Sequence, residues 1–190
     1  MDLWEAVRNR RSCRAFASTP VEDEKLEMVL EAGRWAPSTV NKQPWRFTII
    51  KNQELKQRIK DSCSKTVQFL HEVSGWKWLG RYTVDFLTQA PVIIAVTANP
   101  DDAGADKFLP GRGETYLMSC SAAIQNMLLA AHAAGLGSLW YTLYDKKELK
   151  NILSIPENMD LVSLVLIGYP EAPLNPVPRK PLEELVTVIP

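Results

Sequence analysis

The sequence predicts one domain in which helices alternate with the strands of a buried sheet. Three observations carry this. Apolar residues recur at helical spacing over about 53–71 and 114–134. The runs 45–50, 91–97, 137–142 and 161–167 are β-branched, aromatic or continuously apolar, as strands are. A length of 190 residues, 46% hydrophobic and 23% charged, suits one ordinary core, and no repeat or linker divides it. Residues 1–190 are therefore read as a single domain.

Taken in order, Leu3, Trp4 and Val7 sit at helical spacing behind Asp2, a possible N-cap. This helix runs into residues 8–16, Arg8-Asn9-Arg10-Arg11-Ser12-Cys13-Arg14-Ala15-Phe16. Four arginines crowd into seven residues of a chain whose net charge is zero. Guanidinium groups grip phosphate oxygens two at a time, and Ser12 adds a hydroxyl donor. A solvated charge run at a helix end is the competing reading. Glu22, Asp23 and Glu24 then open a helix with Leu26, Val29, Leu30 and Gly33 on one face, which Pro37 stops.

The loop from Ala36 to Trp45 lies between two prolines and carries Ser38, Asn41 and Gln43. Such side chains can read a heterocycle, and they also build ordinary turns. After strand 45–50, Asn52 caps the helix 53–71, with Leu55, Ile59 and Cys63 on one side. Residues 73–90 hold Trp76, Trp78, Tyr82 and Phe86 between flexible glycines, and fit either a lid or packing on the core. Residues 99–113 read as a long polar surface loop.

The helix 114–134 is apolar nearly all round and rich in small residues, so it is expected to be central or at a subunit interface. Gly135 is placed as its left-handed stop. Asp145 caps a short helix to about Leu153, and Gly168 closes the last strand. The tail from Tyr169 holds Pro170, Pro173, Pro176, Pro178 and Pro181 and cannot form a core, so it is expected to wrap its own domain or a partner. Arg179-Lys180 within it is a second basic pair.

Several functions are disfavoured. Zero net charge argues against a general nucleic-acid binder. No apolar run reaches the ~18 residues of a membrane span, and Met1–Glu5 do not resemble a secretory leader. Cys13, Cys63 and Cys120 are odd in number and widely spaced, which suggests reduced cytoplasmic thiols and no metal site. Gly111-Arg112-Gly113 lacks the third glycine of a dinucleotide fingerprint, and Gly135-Leu136-Gly137 enters a strand instead of leaving one. No phosphate loop or nucleophile elbow is present. Any reaction here therefore needs a cofactor.

Four segments together, Arg10-Arg11-Ser12-Cys13-Arg14-Ala15-Phe16, Ala36-Pro37-Ser38 with Asn41, Gln43, Pro44 and Trp45, Gly135-Leu136-Gly137-Ser138, and Arg179-Lys180-Pro181-Leu182-Glu183-Glu184, resemble the FMN-dependent nitroreductase family. The resemblance covers essentially the whole chain. It implies an α+β fold with a central mixed β-sheet flanked by helices, and a homodimer with flavins at its interface and tails wrapping the partner subunit. It implies that Arg10, Ser12 and Arg14 hold the FMN phosphate and ribityl chain, with Arg11 at the pyrimidine side. Arg179 or Lys180 would add a cation to the phosphate. Pro37, Ser38, Asn41 and Gln43 would reach the ring from the other subunit. Trp140, Tyr141 and Thr142 align with the segment running along the ring. Cys13 reads as packing, and Arg8 matches no family position.

The implied reaction is NAD(P)H-driven reduction of nitroaromatics, quinones or related flat acceptors by a ping-pong scheme. Flavin N5 carries the hydride, so no catalytic side chain is expected. Reductive dehalogenation, flavin fragmentation or ring dehydrogenation on the same scaffold, or non-catalytic flavin binding, are the alternatives.

Overall fold

A computed structural model describes residues 1–189. Its centre is a four-stranded sheet of β1 (Trp45–Ile50), β2 (Val92–Ala98), β3 (Gly137–Tyr141) and β4 (Asp160–Gly168), in the order β1-β2-β4-β3. The two most continuously apolar runs, β2 and β4, take the middle. Every residue of β2 is buried. Its alternate side chains enter separate cores, Val92, Ile94 and Val96 on one face and Ile93 and Ala95 on the other.

Six helices cover the two faces: α1 (Leu3–Asn9), α2 (Asp23–Arg34), α3 (Gln53–Ser74), α4 (Phe86–Gln89), α5 (Thr115–Ala133) and α6 (Lys146–Ile152). One core joins α2 and α5 to the sheet through Val29, Ile124 and Met127. The other joins α3, α4 and α6 through Ile59, Leu87 and Leu149. Where α2 crosses α5, a Cβ on Gly33 would lie 2.8 Å from Met127 Cγ, so the close approach requires glycine.

The sheet expected to be mixed is antiparallel at every pairing of its four strands. The reason lies in the α5 crossover. β2 and β3, which α5 connects, run in the same direction but are not neighbours. β4 fills the slot between them, antiparallel to both. Parallel pairing is confined to one isolated bridge, Ser12 to Ser138, on the outer edge of β3.

Local signals held. Asp2, Asn52 and Asp145 cap their helices, accepting from the third residue on at 2.8, 2.8 and 2.7 Å. Gly135 has φ of 78°, and the Leu136 N–H reaches back to the Ala131 carbonyl, so α5 ends in a left-handed turn. α3 runs three residues past the expected end, to Ser74, and stops at left-handed Gly75. Residues 73–90 divide between the two readings. Leu79, Val84 and Phe86 are buried, while Trp76 and Trp78 stay exposed. The loop 99–113 contains two 3-10 turns, Pro100–Asp102 and Ala105–Phe108. The Thr115 hydroxyl pins it, donating to Asp106 at 2.7 Å and accepting from the Gly104 N–H at 2.8 Å. Among the described residues, no helix is long and apolar enough to cross a membrane.

Candidate functional site

The arginine segment is laid against the free edge of β3. The Cys13 N–H donates to the Ser138 carbonyl at 2.9 Å. The Ala17 N–H donates to Tyr169 and the Glu171 N–H to Ala15, at 2.9 and 3.1 Å, so residues 12–17 are zipped between β3 and the start of the tail. Extended chain alternates its side chains. Cys13 turns inward and is buried, which leaves its neighbours Ser12 and Arg14 facing outward; Phe16, past this stretch, is buried as well. The Cys13 thiol donates to the Ala15 carbonyl at 3.1 Å, and burial raises its pKa, so it is the packing residue expected.

Arg10, Arg11, Ser12 and Arg14 line a cleft of about 370 Å³ with Leu174, Asn175, Val177 and Arg179. Residues from opposite ends of the chain thus meet. Of the basic tail pair, Arg179 lines this cleft and Lys180 does not. Four guanidiniums converge with no carboxylate in the lining. The Arg10 pKa is lowered, first by burial and then by Arg11 and Arg179. Among the described residues, the Arg10, Ser12 and Arg14 side chains have no hydrogen-bond or ion-pair partner, so the donor set fits a phosphate monoester. Arg11 is held by its own backbone. Its Nη1 donates to the Arg8 and Arg10 carbonyls at 2.5 and 2.8 Å, and its buried Nε is unpartnered. Arg8 lies over Trp4 and takes no part.

The proline-bounded loop lies elsewhere. A 3-10 turn, Thr39–Asn41, is tied to α5 by the Thr39 N–H donating to Ser119 Oγ at 3.3 Å. Val40, Asn41 and Gln43 are left-handed, with φ of 44°, 56° and 48°. Ser38 Oγ accepts from the Gln43 N–H at 3.0 Å, and Gln43 Nε2 donates to Asn41 Oδ1 at 3.2 Å, so these groups hold one another; Pro37 beside them is exposed. Ser119 is near the start of α5. His132, beside the arginines, is thirteen residues further on, about 20 Å along the helix. One chain therefore does not bring the loop to the arginine cleft.

In the third segment, Trp140 and Thr142 are exposed, whereas Tyr141 faces the core. Its hydroxyl donates to the Leu143 carbonyl at 2.7 Å, and its carbonyl accepts from Ser163 Oγ at 3.0 Å. The Tyr141 side chain is thus unavailable to a ligand. Since the Ser138 carbonyl points to the free edge, the Trp140 N–H points there too, two residues along an unpaired strand edge.

Residues not anticipated also lie here. Ser138 Oγ is buried without a partner behind Ser12. Arg11 and Leu174 also line a larger cavity of about 760 Å³, which reaches Asn9, His132 and Leu136. His132 Nε2 is buried and unpartnered. A lone histidine on a small-residue helix gives no signal in the sequence.

Residues 7–169 match the model of the nitroreductase family. A Methanothermobacter thermautotrophicus protein with the provisional name NADH dehydrogenase/NAD(P)H nitroreductase is 33% identical over 90% of this chain and 78% of its own. A Thermotoga neapolitana iodotyrosine deiodinase is 30% identical over 97% of this chain and 95% of its own. The crystal structure of an oxidized iodotyrosine deiodinase bound to FMN and 3-iodo-L-tyrosine superposes with a TM-score of 0.82, at 27% identity over 99% of this chain and 98% of that one.

Proposed function

The chain belongs to the nitroreductase family, and on that footing we propose that it is an FMN-dependent oxidoreductase, a homodimer of single-domain subunits in the cytoplasm. The observation that carries the reading is the cleft where Arg10, Ser12, Arg14 and Arg179 converge with no carboxylate in the lining. An FMN phosphate supplies the missing charge. Held there, FMN would supply hydride transfer between NAD(P)H and a flat nitroaromatic, quinone or related acceptor.

The protein's part is binding and orientation. Arg10, Arg14 and Arg179 hold phosphate oxygens, and Ser12 donates its hydroxyl. The Trp140 N–H, two residues past the Ser138 pairing, offers a fixed donor along the strand edge. A fixed donor costs no reorganisation when charge builds on a bound ring. Arg11, tied to the Arg8 and Arg10 carbonyls, lines the cleft from the α1 side. Lys180 lies next to Arg179 and adds only long-range positive charge.

A second subunit completes the site. Pro37, Ser38, Asn41 and Gln43 lie at the far end of α5 from the arginines, which supports a loop that reaches the ring from the partner. Exposed apolar groups mark the surface that would be covered. They include Leu3, Trp4 and Val7 on α1, Met118 on α5, and Leu182, Leu185, Val188 and Ile189 on the tail.

The visible spectrum of purified protein, with FMN titration of any apo fraction, tests this reading. A flavin spectrum with two peaks in the blue and near ultraviolet is expected. Absence of flavin together with no uptake of FMN would refute it. Anaerobic mixing with NADH and NADPH tests the reductant.

Similarity to iodotyrosine deiodinases in sequence and structure favours a second reading, reductive dehalogenation of an aromatic substrate on the same cofactor. Slow flavin reduction by both nicotinamides, with halide release from a halophenol under dithionite, would favour it over the first.

A further inference from the structure

We propose that a file of six aromatic side chains, from Tyr144 and Tyr141 through Phe86 and Tyr82 to Trp78 and Trp76, conducts oxidising equivalents from the core beneath β3 to the protein surface. The rings follow one another without a gap. Centroids are 6.0 Å apart between Trp76 and Trp78, 5.4 Å from Trp78 to Tyr82, and 6.2 Å from Tyr82 to Phe86. The file continues at 5.4 Å from Phe86 to Tyr141 and 6.4 Å from Tyr141 to Tyr144. Each step is a close aromatic contact. Burial explains only the inner half. Phe86 and Tyr141 are core residues and Tyr144 packs on the same core, but Trp76 and Trp78 keep 61% and 49% of their surface in water. Packing does not call for two indoles there, yet they extend the file to solvent. Indole and phenol are among the side chains that give up an electron most readily. Phe86 does not, and serves as the bridge across which an electron tunnels from Tyr82 to Tyr141.

Proton chemistry gives the file a direction. An oxidised tyrosine sheds its phenolic proton. The Tyr141 hydroxyl donates to the Leu143 carbonyl at 2.7 Å and the Tyr144 hydroxyl to the Leu161 carbonyl at 3.4 Å, and a backbone carbonyl does not take a proton over. Burial raises both phenol pKa values. A positive charge left on either ring is therefore costly. Tyr82 is half-exposed and the two indoles meet water, which accepts the proton. A radical oxidant at β3, of the oxygen-centred class, takes one electron from Tyr141. Tyr82 returns one electron to Tyr141 and releases its proton to water. A soluble thiol then gives Tyr82 a hydrogen atom and leaves as a thiyl radical. Tyr141 is next to Trp140, whose N–H lies on the strand edge assigned to the flavin. That radicals arise at that edge rests on the flavin reading; the file itself does not.

Pulse radiolysis of the purified protein in azide solution tests this. The azidyl radical takes one electron from an exposed indole and becomes azide, and the indole loses a proton to water. The green absorption of the indolyl radical is expected to decay as the violet band of a phenoxyl radical grows, at a rate independent of protein concentration. Tyr82→Phe, which keeps the ring, should slow that growth at least about tenfold, and so should Trp76→Phe combined with Trp78→Phe. Two controls should leave it unchanged. They are Trp35→Phe, an exposed indole that sits under Arg34 and touches no aromatic ring among the described residues, and Tyr144→Phe at the inner end. Growth of the violet band unaffected by Tyr82→Phe would overturn the proposal. Its loss in Tyr144→Phe would also do so, because the oxidising equivalent would then rest in the core. Failure of the protein to bind flavin would refute the reading of the cleft and leave the radiolysis result on the file as it stands.

Discussion

The Cys13 N–H donates to the Ser138 carbonyl across a gap so tight that a Cβ on neighbouring Gly137 would lie 2.9 Å from both Cβ and Sγ of Cys13. That contact sets the position of the arginine segment. Gly137→Ala must push Cys13 off β3, and the flanking Ser12 and Arg14 go with it. Overpacking of this kind costs about 1–3 kcal/mol. Urea unfolding is expected to show that loss, and FMN titration a parallel loss of affinity. Unchanged affinity in a destabilised variant would separate the strand contact from the site.

Arg14 and Arg179 come from opposite ends of the chain to one cleft, so each tests the phosphate assignment independently. A hydrogen bond to a charged group contributes about 1.5–3 kcal/mol. Arg14→Ala and Arg179→Ala should each weaken FMN by that amount in equilibrium titration, with riboflavin binding unaltered. Lys180→Ala, whose side chain does not line the cleft, should change FMN affinity by less than about 0.5 kcal/mol at moderate salt.

Stability should fall as the solution is made alkaline. Burial pushes the Cys63 and Cys120 thiols up from 9.0 to about 12. In the unfolded chain they ionise near 9, whereas in the folded protein they keep their protons to about 12. Their contribution is therefore full below pH 9 and is lost as pH climbs through that window. Lys56 acts in the opposite direction, since burial lowers its pKa and the unfolded chain holds that proton more tightly. With Cys13, whose thiol burial also raises, three thiols oppose one amine, so a net decline is expected. Thermal unfolding between pH 8 and 11 should show the midpoint dropping, and Cys63→Ala should flatten the slope.

What was legible followed from local chemistry. The caps at Asp2, Asn52 and Asp145 each need one side chain three residues from the N–H it accepts from, and such pairs can be seen in sequence. Sheet order could not be seen. β4 lies between β2 and β3 because of long-range packing, and nothing within the strand announces its neighbours. The choice between Arg179 and Lys180 depended on the direction of an extended tail. The inward turn of Tyr141 was hidden for a related reason. Strand alternation fixes that Trp140 and Tyr141 face opposite ways, but only the packed core decides which of them turns inward. Arg11 turned to the α1 carbonyls because a helix ending at Asn9 leaves acceptors that its own backbone cannot satisfy.

Val40 is β-branched yet holds φ of 44°, a conformation that costs such residues roughly 1–2 kcal/mol. It is also exposed, so no burial offsets that cost within one subunit. Asparagine tolerates the left-handed region, so Val40→Asn should stabilise the isolated subunit by about 1 kcal/mol in thermal unfolding. If a partner's surface covers Val40 in the dimer, the same variant should weaken dimerisation, which dilution experiments would detect.

The tail beyond Lys180 gives the most direct test of the dimer. Leu182, Leu185, Val186, Val188 and Ile189 are all exposed, and Val188 and Ile189 keep 82% and 89% of their surface in water. A segment this apolar gains nothing from lying against its own subunit in that way, whereas burying it on a partner removes several large side chains from water at about 25 cal/mol per Å². The full chain should therefore sediment near twice its 21.4 kDa mass. A chain ending at Lys180 keeps Arg179 and the whole phosphate cleft but loses this contact. It should shift toward monomer and bind FMN more weakly, because the partner's Asn41 and Gln43 would no longer be held over the ring. A truncated chain that stayed dimeric would place the main contact on α1 and α5 instead.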